Sequence, residues 1–173
     1  MAKRRRAKVL ALAGIVLMAA FLAFMCTGAF AANPSTVTVS ANLASVLQLS
    51  MSKATVDFGG VLQPGSTHTD TDIATVDSNK IWSLKVTKSS DLHDAVSGMS
   101  IPSANLTYGS TSANPNVLNL QASGTQFGAS TNVCNTCGRG PAMAVTVTYS
   151  LTVPWNVEPG TYTATHTYTA TQP

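Results

Sequence analysis

The residues best suited to chemistry are few and scattered. Cys134-Asn135-Thr136-Cys137 is the most conspicuous local motif. In a cytosolic protein of alternating strands and helices this spacing could be redox-active, but here it sits between glycine-rich stretches. Oxidised, it closes a short loop disulfide that constrains the chain only locally. A zinc site would need two further ligands, and His68, His93 and His166 lie far apart in the sequence. His166 falls in a Thr-rich stretch and shares strand parity with Tyr162 and Tyr168, which suits a histidine packed among aromatics better than a ligand. Asp70, Asp72 and Asp77 are close together but lack the central glycine and the terminal bidentate acid of a calcium loop. Glu158 is the only glutamate and stands beside Pro159. No Gly-x-Ser-x-Gly, His-Glu-x-x-His or phosphate loop occurs. The expectation is a protein that is not an enzyme and uses no cofactor or metal, with a Cys134–Cys137 disulfide.

The elements that position these residues are strands. Period-two alternation dominates the chain. Val37, Val39, Ala41 and Leu43 share one side, and Leu47, Leu49 and Met51 continue the pattern, which predicts a long, nearly uncharged strand from Val37 to Met51. Val56 to Gly59 reads as a short strand. Gln63-Pro64-Gly65-Ser66 is a turn, because proline fixes one dihedral and glycine accepts positive φ. Strands follow at Thr67 to Val76 and at Ile81 to Thr87, the second with Trp82, Leu84 and Val86 on one face. Further strands are expected at Asn105 to Tyr108 and Asn116 to Ala122, then a loop from Gly124 to Gly140. Ala142 to Val153 and Thr161 to Thr171 form the last two strands, read as an antiparallel hairpin around Glu158-Pro159-Gly160. Threonines recur at alternate positions from Thr161 to Thr171 and from Thr67 to Thr71. A β-branched, hydroxyl-bearing outer face accounts for that pattern without a ligand. Seven or more short strands without a helical pattern point to an all-β fold, an antiparallel, immunoglobulin-like β-sandwich; a barrel is the alternative.

The N-terminus reads as a secretory signal peptide. Lys3, Arg4, Arg5, Arg6 and Lys8 precede an uncharged apolar run from Val9 to Met25, and Ala29-Phe30-Ala31 offers a cleavage site. A retained membrane anchor is the rival, since the run is long enough to span a bilayer. The domain organisation expected is a signal peptide over 1–31 and one β-sandwich domain over 32–173. Of the ten Lys and Arg residues only five lie after Ala31, against seven acids, so the processed chain is slightly acidic and carries no basic cluster. Nucleic-acid binding is therefore not expected, and the membrane is involved only through the signal segment before cleavage.

Two motifs carry a family resemblance. Trp82-Ser83-Leu84, mid-strand, resembles the Trp-x-Leu motif of the WxL surface-domain proteins of Gram-positive bacteria. The stretch from Tyr162 to Ala170 resembles that family's distal motif, with His166, Tyr168 and Ala170 standing where the family has Leu, Trp and Leu. The resemblance implies a secreted, surface-associated protein held non-covalently to the cell wall through peptidoglycan, with Trp82, Leu84, Tyr162 and Tyr168 as ligand-contact residues. From the residues alone, Trp82 and Leu84 on one face read as core packing, which for Trp82 is favoured over ligand contact.

The uncharged strand expected at Val37 to Met51 supports another role. An edge without blocking charges can pair with a further chain. The leading expectation is thus a secreted, non-enzymatic surface protein that binds cell-wall polysaccharide, extracellular matrix or other surface proteins. The alternative is a self-associating subunit of a pilus-like or fibrous extracellular assembly built by β-strand addition.

Overall fold

The computed structural model describes residues 35–173; the expected signal segment and its cleavage boundary lie outside them. The contacts divide the chain into two units, Met1–Asn42 and Leu43–Pro173. Of the first, residues 35–42 form no strand and are exposed.

The second unit is an all-β sandwich with no helix among the described residues. Its strands are β1 (Leu47–Met51), β2 (Thr67–Ser78), β3 (Trp82–Lys88), β4 (Leu92–His93), β5 (Ser100–Ile101), β6 (Leu106–Thr111), β7 (Val117–Leu120), β8 (Thr125–Gln126), β9 (Thr131–Cys137), β10 (Gly140–Thr152) and β11 (His166–Thr171). One layer has the order β1-β2-β10-β6-β8 and the other β11-β3-β9-β7, with β4-β5 a small separate hairpin. The paired strands run antiparallel.

The alternation read from the sequence decides which side chains enter the core. Ala74 and Val76 of β2, Trp82, Leu84 and Val86 of β3, and Val145, Val147, Tyr149 and Leu151 of β10 all point inward and are buried. The intervening threonines and serines meet across the outer face, Thr67 opposite Thr152, Thr69 opposite Ser150 and Thr71 opposite Thr148. Polar bonds also fasten the layers together. Tyr108 Oη donates to the Asn132 carbonyl at 2.5 Å and Ser110 Oγ to the Val133 carbonyl at 2.7 Å. Each joins β6 to β9 and satisfies a hydroxyl that burial would otherwise strand.

Several expectations are corrected. Of the long strand foreseen from Val37 to Met51, only Leu47–Met51 forms, because alternation encodes a strand's capacity to pair and not the presence of a partner. Val56 to Gly59 is irregular and belongs to the connection between β1 and β2. The loop expected from Gly124 to Gly140 instead contains β8 and β9, and β9 lies inside the second layer. The final hairpin does not form: β10 and β11 lie in different layers, and the thirteen residues between them carry the chain across. Regular pairing of the last strand begins only at His166, with Thr163 making an isolated bridge to His93.

Cys134 and Cys137 explain why β9 was hidden. They lie at disulfide-bonding distance with Cα atoms 6.4 Å apart. Cys137 faces Trp82 and Cys134 faces Leu84, so three steps of β9 oppose two of β3 in a β-bulge. The bulge lets both sulfurs turn inward, and Trp82 Nε1 donates to the Gly138 carbonyl at 2.7 Å just beyond it. The expected disulfide is therefore a clasp in a core strand rather than in a surface loop.

Candidate functional site

The sandwich is open along one side. β1 pairs only with Ala74 to Ser78 of β2 and ends at Met51. From there the chain leaves the layer as an irregular connection to β2. In the opposite layer β11 is a terminal strand, bonded among the described residues to β3 on one side alone. Gln172 closes one end of this open side. Its Nε2 donates to the Val46 carbonyl at 2.6 Å and to Ser78 Oγ at 2.8 Å, while Ser45 Oγ donates to its Oε1 at 2.6 Å. Away from that clasp lies a cleft of about 1170 Å³.

The cleft is built from three parts. Its floor is the inner face of the first layer, Tyr149, Leu151 and Val153, joined by Leu106 and Ile101. One wall is the β1–β2 connection, which contributes Val56, Phe58 and Leu62. The other is the segment running into β11, with Val157, Tyr162, Ala164, His166 and Tyr168. Two carboxylates on the inner side of β2 hold the first wall. Asp72 Oδ1 accepts from Ser52 Oγ at 2.7 Å and from the Lys53 amide at 3.0 Å. Asp70 pairs with Lys53 Nζ at 2.6 Å and accepts from the Asp57 amide at 3.1 Å. The Lys53 bond keeps the Asp70 carboxyl below its ordinary pKa. Buried Asp94 anchors the second wall, taking the Ser97 amide and hydroxyl on Oδ2 and the Thr161 amide on Oδ1.

Where floor and wall meet, an aromatic cluster joins the layers. Tyr149 and Tyr168 bring their hydroxyls to 2.6 Å. His166 lies against Phe127 at 4.3 Å and against Tyr149 at 5.7 Å between ring centroids. Burial lowers the His166 pKa to about 4, with the charge of Lys88 adding to the effect, so the ring is neutral at pH 7. Burial pushes Tyr149 up to about 12 and raises Tyr168 as well. These groups hold their protons or their neutrality; they are arranged for packing rather than for proton transfer at neutral pH.

The four residues expected to contact a ligand divide into two pairs. Trp82 and Leu84 are fully buried in β3 and offer no surface to a ligand. Tyr162 and Tyr168 both line the cleft, and the Tyr162 hydroxyl donates to the Glu158 carbonyl at 2.8 Å. Val56, Phe58 and Leu62 were not foreseen as site residues; the only signal was apolar side chains persisting in a stretch rich in glycine. The free edge of β11 follows from its register. Ser89 N donates to Thr165 O, and the 166↔88 pairing continues that frame. Antiparallel alternation therefore turns the peptide groups of Thr167, Thr169 and Thr171 toward β3 and those of His166, Tyr168 and Ala170 outward. The arrangement offers backbone donors and acceptors that are unpaired among the described residues, beside an apolar cleft, which is what an incoming extended segment needs. No protein-family model matches the chain, and no curated protein matches it at a significant level.

Proposed function

We propose that this chain is a secreted, non-enzymatic structural subunit of an extracellular assembly, joined to other chains by strand addition at the open side. The supporting observation is the coincidence of the β11 edge, unpaired among the described residues, with the apolar cleft between the layers. An added strand would complete the ladder with its peptide groups and fill the cleft with alternate side chains. The Asp70 and Asp72 carboxylates beside the cleft are already engaged by Ser52, the Lys53 and Asp57 amides, and the Lys53 ammonium, which suits a packing surface more than a reaction centre. Export through the N-terminal segment belongs to the same reading.

Filling the cleft tests it. Ala164→Trp places a large ring where the added side chains would sit. With the fold confirmed by circular dichroism, the variant should form at least tenfold less high-mass material than the wild type by light scattering. Unchanged assembly would contradict the reading.

A second reading has its own support. Tyr162 and Tyr168 share the cleft, and tyrosine rings can pack against the apolar faces of sugars. Cell-wall polysaccharide is then the partner, and the protein should pellet with sacculi; recovery wholly in the supernatant at low salt would dispose of it.

A further inference from the structure

We propose that the strand received by the cleft is the segment Thr36–Leu43 of a second copy of this chain. The inference rests on the strand-addition reading above and supplies the occupant.

The segment has the properties that an added strand requires. Residues 35–46 form no strand, and Val37, Val39 and Leu43 are 83%, 89% and 82% exposed. Scattered exposed apolar residues are ordinary on a protein surface, but here they recur at every second position with Ala41 between them. Thr36, Thr38, Ser40 and Asn42 alternate with them, so an extended conformation sorts the segment into one apolar and one hydroxyl- or amide-bearing side. That is the pattern of the strands already in the sandwich, whose outer faces carry threonine and serine.

Charge and length agree. The segment carries no ionisable side chain, and it lacks the lysine, proline or inward charge with which exposed strands are commonly guarded against pairing. Eight residues extend about 26 Å and β11 about 20 Å, so the segment can run the length of the free edge and continue over the cleft. Paired with β11, its apolar row lies beside the inward row of His166, Tyr168 and Ala170, and its hydroxyl row beside exposed Thr167, Thr169 and Thr171. A shift by one residue would drive Thr38 and Ser40 into the cleft, which fixes the parity. Giver and receiver are different surfaces of one chain, so each added copy leaves a fresh site and the assembly extends head to tail.

Among the described residues every core residue lies after Asn42, so substitutions in the segment leave the sandwich core untouched. The test uses the chain from Ala32 onward, followed by light scattering over a concentration series. Val39→Asp, on the apolar side, should lower the high-mass fraction at least tenfold, whereas Ser40→Asp, on the other side, should change it less than twofold. A synthetic peptide of residues 35–46 should bind the V39D protein, whose cleft is intact, and shorten wild-type assemblies. Wild-type assembly by V39D, a monomeric wild type at the highest concentration, or equal loss in V39D and S40D would overturn the inference. The two failures separate cleanly. If V39D assembles and folded A164W does not, strand addition stands and the donor is another segment. If A164W assembles as the wild type does, the cleft itself is not the receiving site. Should A164W fail to fold, the peptide decides: competition by an unrelated alternating peptide but not by residues 35–46 retains the cleft and rejects this donor.

Discussion

The hydroxyls of Tyr149 and Tyr168 meet at 2.6 Å between the two layers, one from the longest strand of the first layer and one from the edge of the second. The contact ties the floor of the cleft to its wall, since Tyr149 and Leu151 on one strand and His166 and Tyr168 on the other all line it. Tyr149→Phe or Tyr168→Phe leaves the surviving hydroxyl without its partner and should destabilise the fold by about 1–2 kcal/mol. Removing both should cost less than the sum of the single changes, since no orphaned hydroxyl remains. A double-mutant cycle by urea unfolding reads this; strict additivity would mean the bond contributes nothing.

The same pair sets an alkaline limit. Tyr149 holds its proton to about pH 12, and Tyr168 is raised as well, whereas both ionise near the ordinary value in the unfolded chain. Stability should be full below pH 10 and fall as the pH rises from 10 toward 12, as the unfolded state alone loses protons. Unfolding midpoints across this range should drop less steeply in the Y149F/Y168F double variant.

His166 acts at the other end of the scale. Its folded pKa of about 4 lies below the ordinary value of 6.5, so the unfolded state gains a proton first on acidification. The stabilisation is present above pH 6.5 and is lost as the pH falls through 4, on the order of 1 kcal/mol once partial solvent screening is allowed for. His166→Phe should flatten the stability profile between pH 6.5 and 4. An imidazole that titrates by NMR near 6.5 would contradict the packing described for it.

Strands β2, β3 and β10 were legible because strict alternation ran between turn residues such as Gln63 to Ser66. At that turn Gly65 has a φ of 81° and Ser66 N donates to the Gln63 carbonyl. Strand β9 was not legible, because Val133 and Cys134 are adjacent and both buried, and a bulge breaks the period by which strands are recognised. The partner of β11 is hidden for another reason: Pro159-Gly160 marks a turn but does not say which layer the chain enters afterwards, a matter of long-range contacts. Of the candidate site, Tyr162 and Tyr168 were visible through a motif resemblance. The wall made by Val56, Phe58 and Leu62 was not, because its residues pack from an irregular segment that has no period.

The Cys134–Cys137 clasp closes a loop of only four residues, which in a chain-entropy account stabilises by about 2 kcal/mol. Alanine at both positions should lower stability by that order without abolishing the fold, since Trp82 keeps its bond to Gly138. Loss of all cooperative unfolding in the double variant would assign the bulge a larger part than its geometry suggests.

Ala142 adopts φ 50° at the start of β10, where its amide donates to Asp77 Oδ1 at 2.7 Å. The left-handed conformation disfavours a residue with a Cβ by about 1 kcal/mol. Ala142→Gly should therefore raise the unfolding free energy slightly or leave it unchanged; a loss of 1 kcal/mol or more would show that the backbone there is not held as described.

Amide exchange along β11 tests strand addition most directly. In the monomer the amides of Thr167, Thr169 and Thr171, turned toward β3, should be protected, while those of His166, Tyr168 and Ala170 exchange freely. In assembled material the second set should become protected by at least tenfold, with the first set unchanged. Assemblies in which His166, Tyr168 and Ala170 exchange as fast as in the monomer would contradict the account.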